Sequence, residues 1–178
     1  MDELMLVLRL LHVVPGAIWV GMAVFTVFYL TPALQEAGPE SAKVMAALQR
    51  RGIMTVMPVL GVVTILSGTW LYGRATLGFR AELVTSGQGL AFGVGGLASL
   101  AALIIGLAVM RPAMLRAAAL MRSMAAAPGG ADREQTITEV GRLRVRGGRA
   151  GRTVAVLLLL SVIAMAVGRY LPGGPAAG

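Results

Sequence analysis

His12 is the sole histidine of the chain, and it sits with Arg9 inside an apolar run, LRLLHVVPGAIWVGMAVF, at 8–25. Arg9 precedes it by one turn, Gly16 follows by one turn and Trp19 by two, so a helix carries all four on one face, which should point inward. An ionisable group in a lipid-spanning helix costs about 2.5–3.5 kcal/mol for Arg on insertion scales, which makes such residues functional candidates by default. Pro15 has no N–H to give the Leu11 carbonyl and predicts a kink beside His12, while Gly16 leaves space next to the imidazole. At about 1.5 Å per residue, His12 lies about 12 Å inside the start of the run, a level that Arg169 approaches from the end of the chain.

Three chemistries fit these residues. In the first, His12 is neutral and hydrogen-bonds a neighbouring helix through Ser67 or Thr69, while Arg9 snorkels to the surface near Asp2 or Glu3. In the second, His12 is an axial ligand of haem b, Arg9 and Arg169 receive the propionates, and Gly16 and Trp19 border the ring. One histidine supplies one axial ligand, so the other comes from a methionine, from His12 of a second copy, or not at all. In the third, thioethers hold Cu(I): Met54, Met57, Met110 and Met114 lie near the same ends of their apolar segments at helical spacings. Methionine also fills irregular apolar gaps, the structural alternative for all four.

Other chemistries are excluded by what is missing. The chain has no cysteine, so disulfides, thiolate metal sites and cysteine nucleophiles fall away. No apolar segment contains an acidic residue, which disfavours a carboxylate proton relay or a buried cation site. There is no Walker loop, zinc cluster or serine–histidine–acid set, and GQGLAFGVGG lacks dinucleotide spacing.

The elements that must position these residues follow from composition. Of 178 residues, 57% are hydrophobic and 13% charged, and the mean hydropathy is +0.79, too apolar for an ordinary water-soluble domain. Four segments are long enough to span hydrocarbon as helices, at 4–30, 52–72, 88–110 and 153–171, within one membrane domain covering 1–178. The first has an acidic leading end and no small-residue cleavage site, so it reads as a retained span and not a signal peptide. Lys43, Arg50 and Arg51 follow span one, and nine arginines from Arg111 to Arg152 follow span three, against Arg74 and Arg80 on the opposite side. The positive-inside rule then puts both termini outside and the long basic connection, 111–152, in the cytoplasm, as expected for a bacterial inner membrane. Trp70, Tyr72 and Tyr170 at outer ends and Tyr29 at an inner end suit the headgroup level; Trp19, mid-span, needs a partner for its indole N–H.

Small residues should set the helix contacts: Gly89, Gly93 and Gly96 in span three, Gly61, Thr64 and Gly68 in span two, Ala17 and Gly21 in span one, Ser161, Ala164 and Gly168 in span four. The helix formers of MLRAAALMRSMAAA predict that span three continues past the membrane until Pro128, Gly129 and Gly130 break it, and Pro39 suits the first turn of another helix. RLRVRGGRAGR is like an RNA-binding tract, but it has no aromatic interleaving and lies just before a span, so anionic lipid headgroups are the expected partner and nucleic acid is not.

With LHVVPGAIWVGMAVFTVFYLTPAL, PVLGVVTILSGTWLY and VLLLLSVIAMAVGRYL in its first, second and fourth spans, the chain resembles small bacterial membrane proteins of the copper-resistance-protein-D-like group. His12, Trp19 and Gly21 are also similar to the first span of the membrane-bound bacterial protoporphyrinogen oxidase family, whose corresponding histidine is associated with haem. Where that family continues with Tyr-Leu-Pro-Arg, this chain has Tyr29, Leu30, Thr31, Pro32 and Ala33. The resemblance implies a helical bundle with a tetrapyrrole or metal site around His12. The residues themselves leave two classes open: an electron-transfer or haem-handling protein, and a non-catalytic accessory or assembly subunit whose glycine-rich faces dock a homodimer or larger membrane complex.

Overall fold

A backbone in hydrocarbon must satisfy its own hydrogen bonds, and this chain does so with helices alone: no strand occurs among the described residues. The computed structural model describes residues 3–38, 41–126 and 133–173. Four continuous rods are long and apolar enough to cross a membrane, Glu3–Glu36, Ile53–Ala75, Gly87–Ala126 and Arg133–Gly168. The expectations for Pro39, Pro128, Gly129, Gly130 and Asp2 fall outside the described residues.

The first rod is α1 (Glu3–Phe25), one π-helical turn (Thr26–Leu30) and α2 (Thr31–Glu36). α1 runs through Pro15 without interruption. After α3 (Ser41–Arg50) the chain turns at Gly52, whose φ of 80° is left-handed and suits glycine, into α4 (Ile53–Ala75). A short α5 (Ala81–Val84) precedes the third rod, which is α6 (Gly87–Ile105), a second π-helical turn (Gly106–Met110) and α7 (Arg111–Ala126). The last is α8 (Arg133–Gly168). Both π turns share one setting: a proline, Pro32 or Pro112, that cannot donate and whose ring crowds the carbonyl four residues back. In both, the residue before the proline bonds five residues back, Thr31 to the Thr26 carbonyl and Arg111 to that of Gly106.

The rods pair as two antiparallel hairpins. In the first, α1 lies on α4: a Cβ on Gly61 would come 3.0 Å from the Trp19 indole, one on Gly16 3.1 Å from the Thr64 methyl, and one on Gly68 within 2.6 Å of the His12 ring. In the second, α6 lies on α8: Phe92 covers Gly168, Gly95 meets Ser161 and Ala164, and Ser99 bonds Ser161 at 2.7 Å. The two are built alike. His12 on Gly68 is answered by Phe92 on Gly168, Trp19 on Gly61 by Ser99 on Ser161, and the π turn before Thr31-Pro32 by the π turn before Arg111-Pro112. One constant displacement along the chain relates all the first-helix positions, and a second relates the facing positions. Trp19, Ala23, Ala102, Val154 and Leu158 join the hairpins at the centre, and the Tyr72 hydroxyl joins them at one end by donating to the Gly89 carbonyl at 3.0 Å.

Not every predicted stripe is a contact. Gly89, Gly93 and Gly96 part company: Gly89 is closed by the Leu83 carbonyl of α5, Gly93 meets the Tyr72 ring, and Gly96 has nothing within 4 Å. Gly95, Ser99 and Ala102 take the place of that stripe against α8 and the centre. Ala17 and Gly21 are exposed, and α1 instead uses His12, Gly16, Trp19 and Ala23. The stripes Gly61, Thr64, Gly68 and Ser161, Ala164, Gly168 do pack as expected.

α7 continues the third rod, as its helix formers predicted, but α8 begins some five turns before the expected span, so the arginine–glycine tract is helical. Each interior glycine costs roughly 1 kcal/mol of helix propensity. Here Gly147 and Gly151 admit the sulfur atoms of Met114 and Met110, and Ala113, Ala117, Val140 and Leu143 zip the pair together beyond them. The buried Ser99–Ser161 bond should be coupled by about 0.6 kcal/mol in a double-mutant cycle of Ser99→Ala and Ser161→Ala, the average for polar pairs between membrane helices. Additive single mutants in detergent denaturation would contradict it.

Candidate functional site

α1 carries His12 on the face it turns to α4, and the ring settles there because Gly68 has no side chain to exclude it. The imidazole Nδ1 lies 2.8 Å from the Thr64 carbonyl. A carbonyl oxygen only accepts, so Nδ1 carries the hydrogen, and in the neutral ring the lone pair is then on Nε2. Nε2 has no hydrogen-bond partner among the described residues, yet it is not sealed in the interior. The ring is half-buried, with one nitrogen fixed and the other unbonded among the described residues.

The predicted hydroxyl partners are engaged elsewhere. Ser67 donates to the Val63 carbonyl at 2.7 Å and at 3.1 Å to the same Thr64 oxygen that His12 uses; Thr69 donates to the Ile65 carbonyl at 2.9 Å. Short hydroxyl side chains in helices bond back one turn, and that takes both away from His12. Thr64 and Gly68 therefore form the seat of the ring. They were visible in the sequence as small-residue packing positions, but a backbone carbonyl acceptor leaves no mark on residue type.

The other predicted members are dispersed. Gly16 packs on the Thr64 methyl directly below the ring, and Trp19 is 4% exposed on Gly61, one contact further along the same seam. No acceptor bonds its indole N–H among the described residues; it acts through its ring. Arg9 is exposed one turn nearer the end of α1, and Arg169 is exposed with its guanidinium 5.3 Å over the Tyr170 ring. Met57 packs beside the central cluster, while the sulfur atoms of Met110 and Met114 face Gly151 and Gly147; Met54 is half-buried near the start of α4. A copper site built on these thioethers would have to draw Met110 and Met114 off those glycines. No group of three histidine, cysteine, aspartate or glutamate residues capable of holding a metal occurs among the described residues.

The arrangement is that of a single oriented imidazole. A hydrogen bond from Nδ1 to a backbone carbonyl fixes the tautomer and holds the ring plane, the support commonly found behind a metal-ligating histidine. The four apolar helices make the chain a multi-pass membrane protein. No protein-family model, curated protein or solved structure matches it.

Proposed function

We propose that the chain is a haem-binding protein of the bacterial inner membrane, acting in electron transfer or haem handling, with His12 Nε2 as the atom that would hold the iron. The observation that carries this reading is the 2.8 Å bond from Nδ1 to the Thr64 carbonyl, which fixes the tautomer and leaves the Nε2 lone pair without a partner among the described residues. His12 would hold the iron of haem b through Nε2, and in a homodimer His12 of a second copy would supply a further nitrogen. Arg9, exposed one turn away, is the nearest cation of the helix for a propionate, with Arg169 as the second. Bound haem supplies one-electron chemistry; this chain's part is to fix the tautomer and limit water. The arginine-rich ends of α7 and α8 face the cytoplasm and both termini the outside, which puts His12 in the outer half of the bilayer.

Protein purified in mild detergent with haem supplied should show a Soret band at one haem per two chains, and His12→Ala should remove it. A colourless preparation would overturn the assignment. It would favour the second reading, an accessory subunit of a larger complex, for which the structure offers an uncovered small-residue strip: Ala17 is exposed on α1, and Gly21 has nothing within 4 Å. Under that reading a partner should be retained in mild detergent, and Gly21→Leu should release it.

A further inference from the structure

At the arginine-rich end, the end of α6, the second π turn and α8 border an open groove of about 440 Å³ that is mostly apolar, with Val145 and Ala150 of α8 among its lining, and is edged by arginines. Ile105 and Val109 form an aliphatic wall where the third rod leaves its apolar stretch. Arg142, Arg146 and Arg149, with Thr153 below them, recur at helical spacing along the facing side of α8. Arg142 is partly neutralised, since its guanidinium holds the Glu139 carboxylate at 2.6 Å, which leaves Arg146 and Arg149 as the principal cations. In the first hairpin the positions that correspond to Ile105 and Val109 carry rings, Phe25 and Tyr29, which stack at 6.3 Å.

The geometry points to a binding site for one acidic phospholipid, its phosphate between Arg146 and Arg149 and its acyl chain descending over Val109 and Ile105. Charge selects the headgroup: two guanidiniums without a carboxylate partner among the described residues meet an anion and gain nothing from a zwitterion whose own ammonium compensates its phosphate. The aliphatic wall selects a lipid over a free anion, because it contributes only when a hydrocarbon chain follows the phosphate into the groove. The site is independent of what His12 holds, being at the opposite end of the rods and on the other hairpin.

Native mass spectrometry of the full chain, delipidated and reloaded with phosphatidylglycerol or phosphatidylcholine, tests this. Phosphatidylglycerol should be retained preferentially, and Arg146→Gln with Arg149→Gln should weaken it about 25-fold, at roughly fivefold per arginine. Glu139→Gln should strengthen retention by freeing Arg142. Ile105→Phe with Val109→Tyr, which places the residue types of the first hairpin here and leaves every arginine in place, should abolish retention in protein that circular dichroism shows to be helical and cooperatively folded. Equal retention of phosphatidylcholine would overturn the proposal, as would an equal loss from Arg116→Gln with Arg122→Gln on α7, which would mean diffuse attraction. Displacement of the lipid by an equal concentration of inorganic phosphate would replace it with a simple anion site.

Discussion

Trp19→Ala should lower stability by about 3 kcal/mol and part the two hairpins while each stays helical. Trp19 is the largest side chain in the central cluster and is 4% exposed. It reaches across α1, lies on Gly61 of α4 and approaches Leu103 of α6, so it fills space where the hairpins meet. In water such a truncation costs about 3–5 kcal/mol, from the transfer of the lost atoms and from the cavity they leave. In lipid the transfer part falls away, because acyl chains solvate an indole well, and the lost dispersion contacts and the cavity remain. That places the effect at the lower end of the range. Glycine at 61 gives the cavity a stiff backbone wall, so little collapse relieves it. Denaturation of the purified protein, followed by near-UV and far-UV circular dichroism, should show loss of tertiary signal well before loss of helix. Trp70→Ala removes an indole that is 58% exposed and should change stability by less than about 0.5 kcal/mol. Equal effects from the two would mean that the hairpins are not joined through Trp19.

The four spans and the inward face of α1 at Gly16 and Trp19 were legible because they depend on local quantities: apolar length, and spacing at the helical period. The continuation of span three into α7 was legible for the same reason, from helix formers alone. What the residues did not reveal is which small-residue face meets which neighbour. Periodicity marks a stripe on a helix but not its partner, and span three carries so many glycines and alanines that two stripes satisfy the rule. The structure takes Gly95, Ser99 and Ala102, where Ser161, Ala164 and Leu158 of α8 complement them. The helical arginine–glycine tract was hidden for a related reason. Gly147 and Gly151 weaken an isolated helix, and only the sulfur atoms of Met110 and Met114, far away along the chain, make them useful. At the site, the sequence singled out His12 and Trp19 but not the acceptor, since every residue has a carbonyl and only register decides that Thr64 presents its own to the ring.

The doubled hairpin gives His12 a physical context. Phe92 occupies the equivalent place in the second hairpin and covers Gly168 as the imidazole covers Gly68. A flat ring over a glycine is therefore enough to seat the first helix of a hairpin on the second, and a phenyl ring does it without a polar atom. What His12 adds is the Nδ1 bond and an Nε2 that is unbonded among the described residues. Packing explains a ring at position 12, but it does not require an imidazole there.

This separation yields the sharpest test of the site. In His12→Asn the side-chain nitrogen, one bond from Cγ as Nδ1 is, can still donate to the Thr64 carbonyl, but the imidazole nitrogen donor is gone and only a weakly ligating amide oxygen remains. Stability should stay within about 0.5 kcal/mol of the parent, because the bond between α1 and α4 survives, while the Soret band is lost. His12→Ala loses the bond as well and should cost about 1 kcal/mol. Gly68→Val acts from the other side with His12 intact: its Cβ would fall 2.6 Å from the ring Cε1 and 2.8 Å from Nδ1, too close for either atom to stay. The ring must leave its seat or α1 must lift from α4, at a cost of about 1–3 kcal/mol, and Nε2 is re-aimed in both cases. Haem binding should then fall although the histidine is present. A His12→Asn protein that keeps its Soret band, or a Gly68→Val protein that binds haem as the parent does, would show that the iron is held elsewhere and that His12 serves only as the polar counterpart of Phe92.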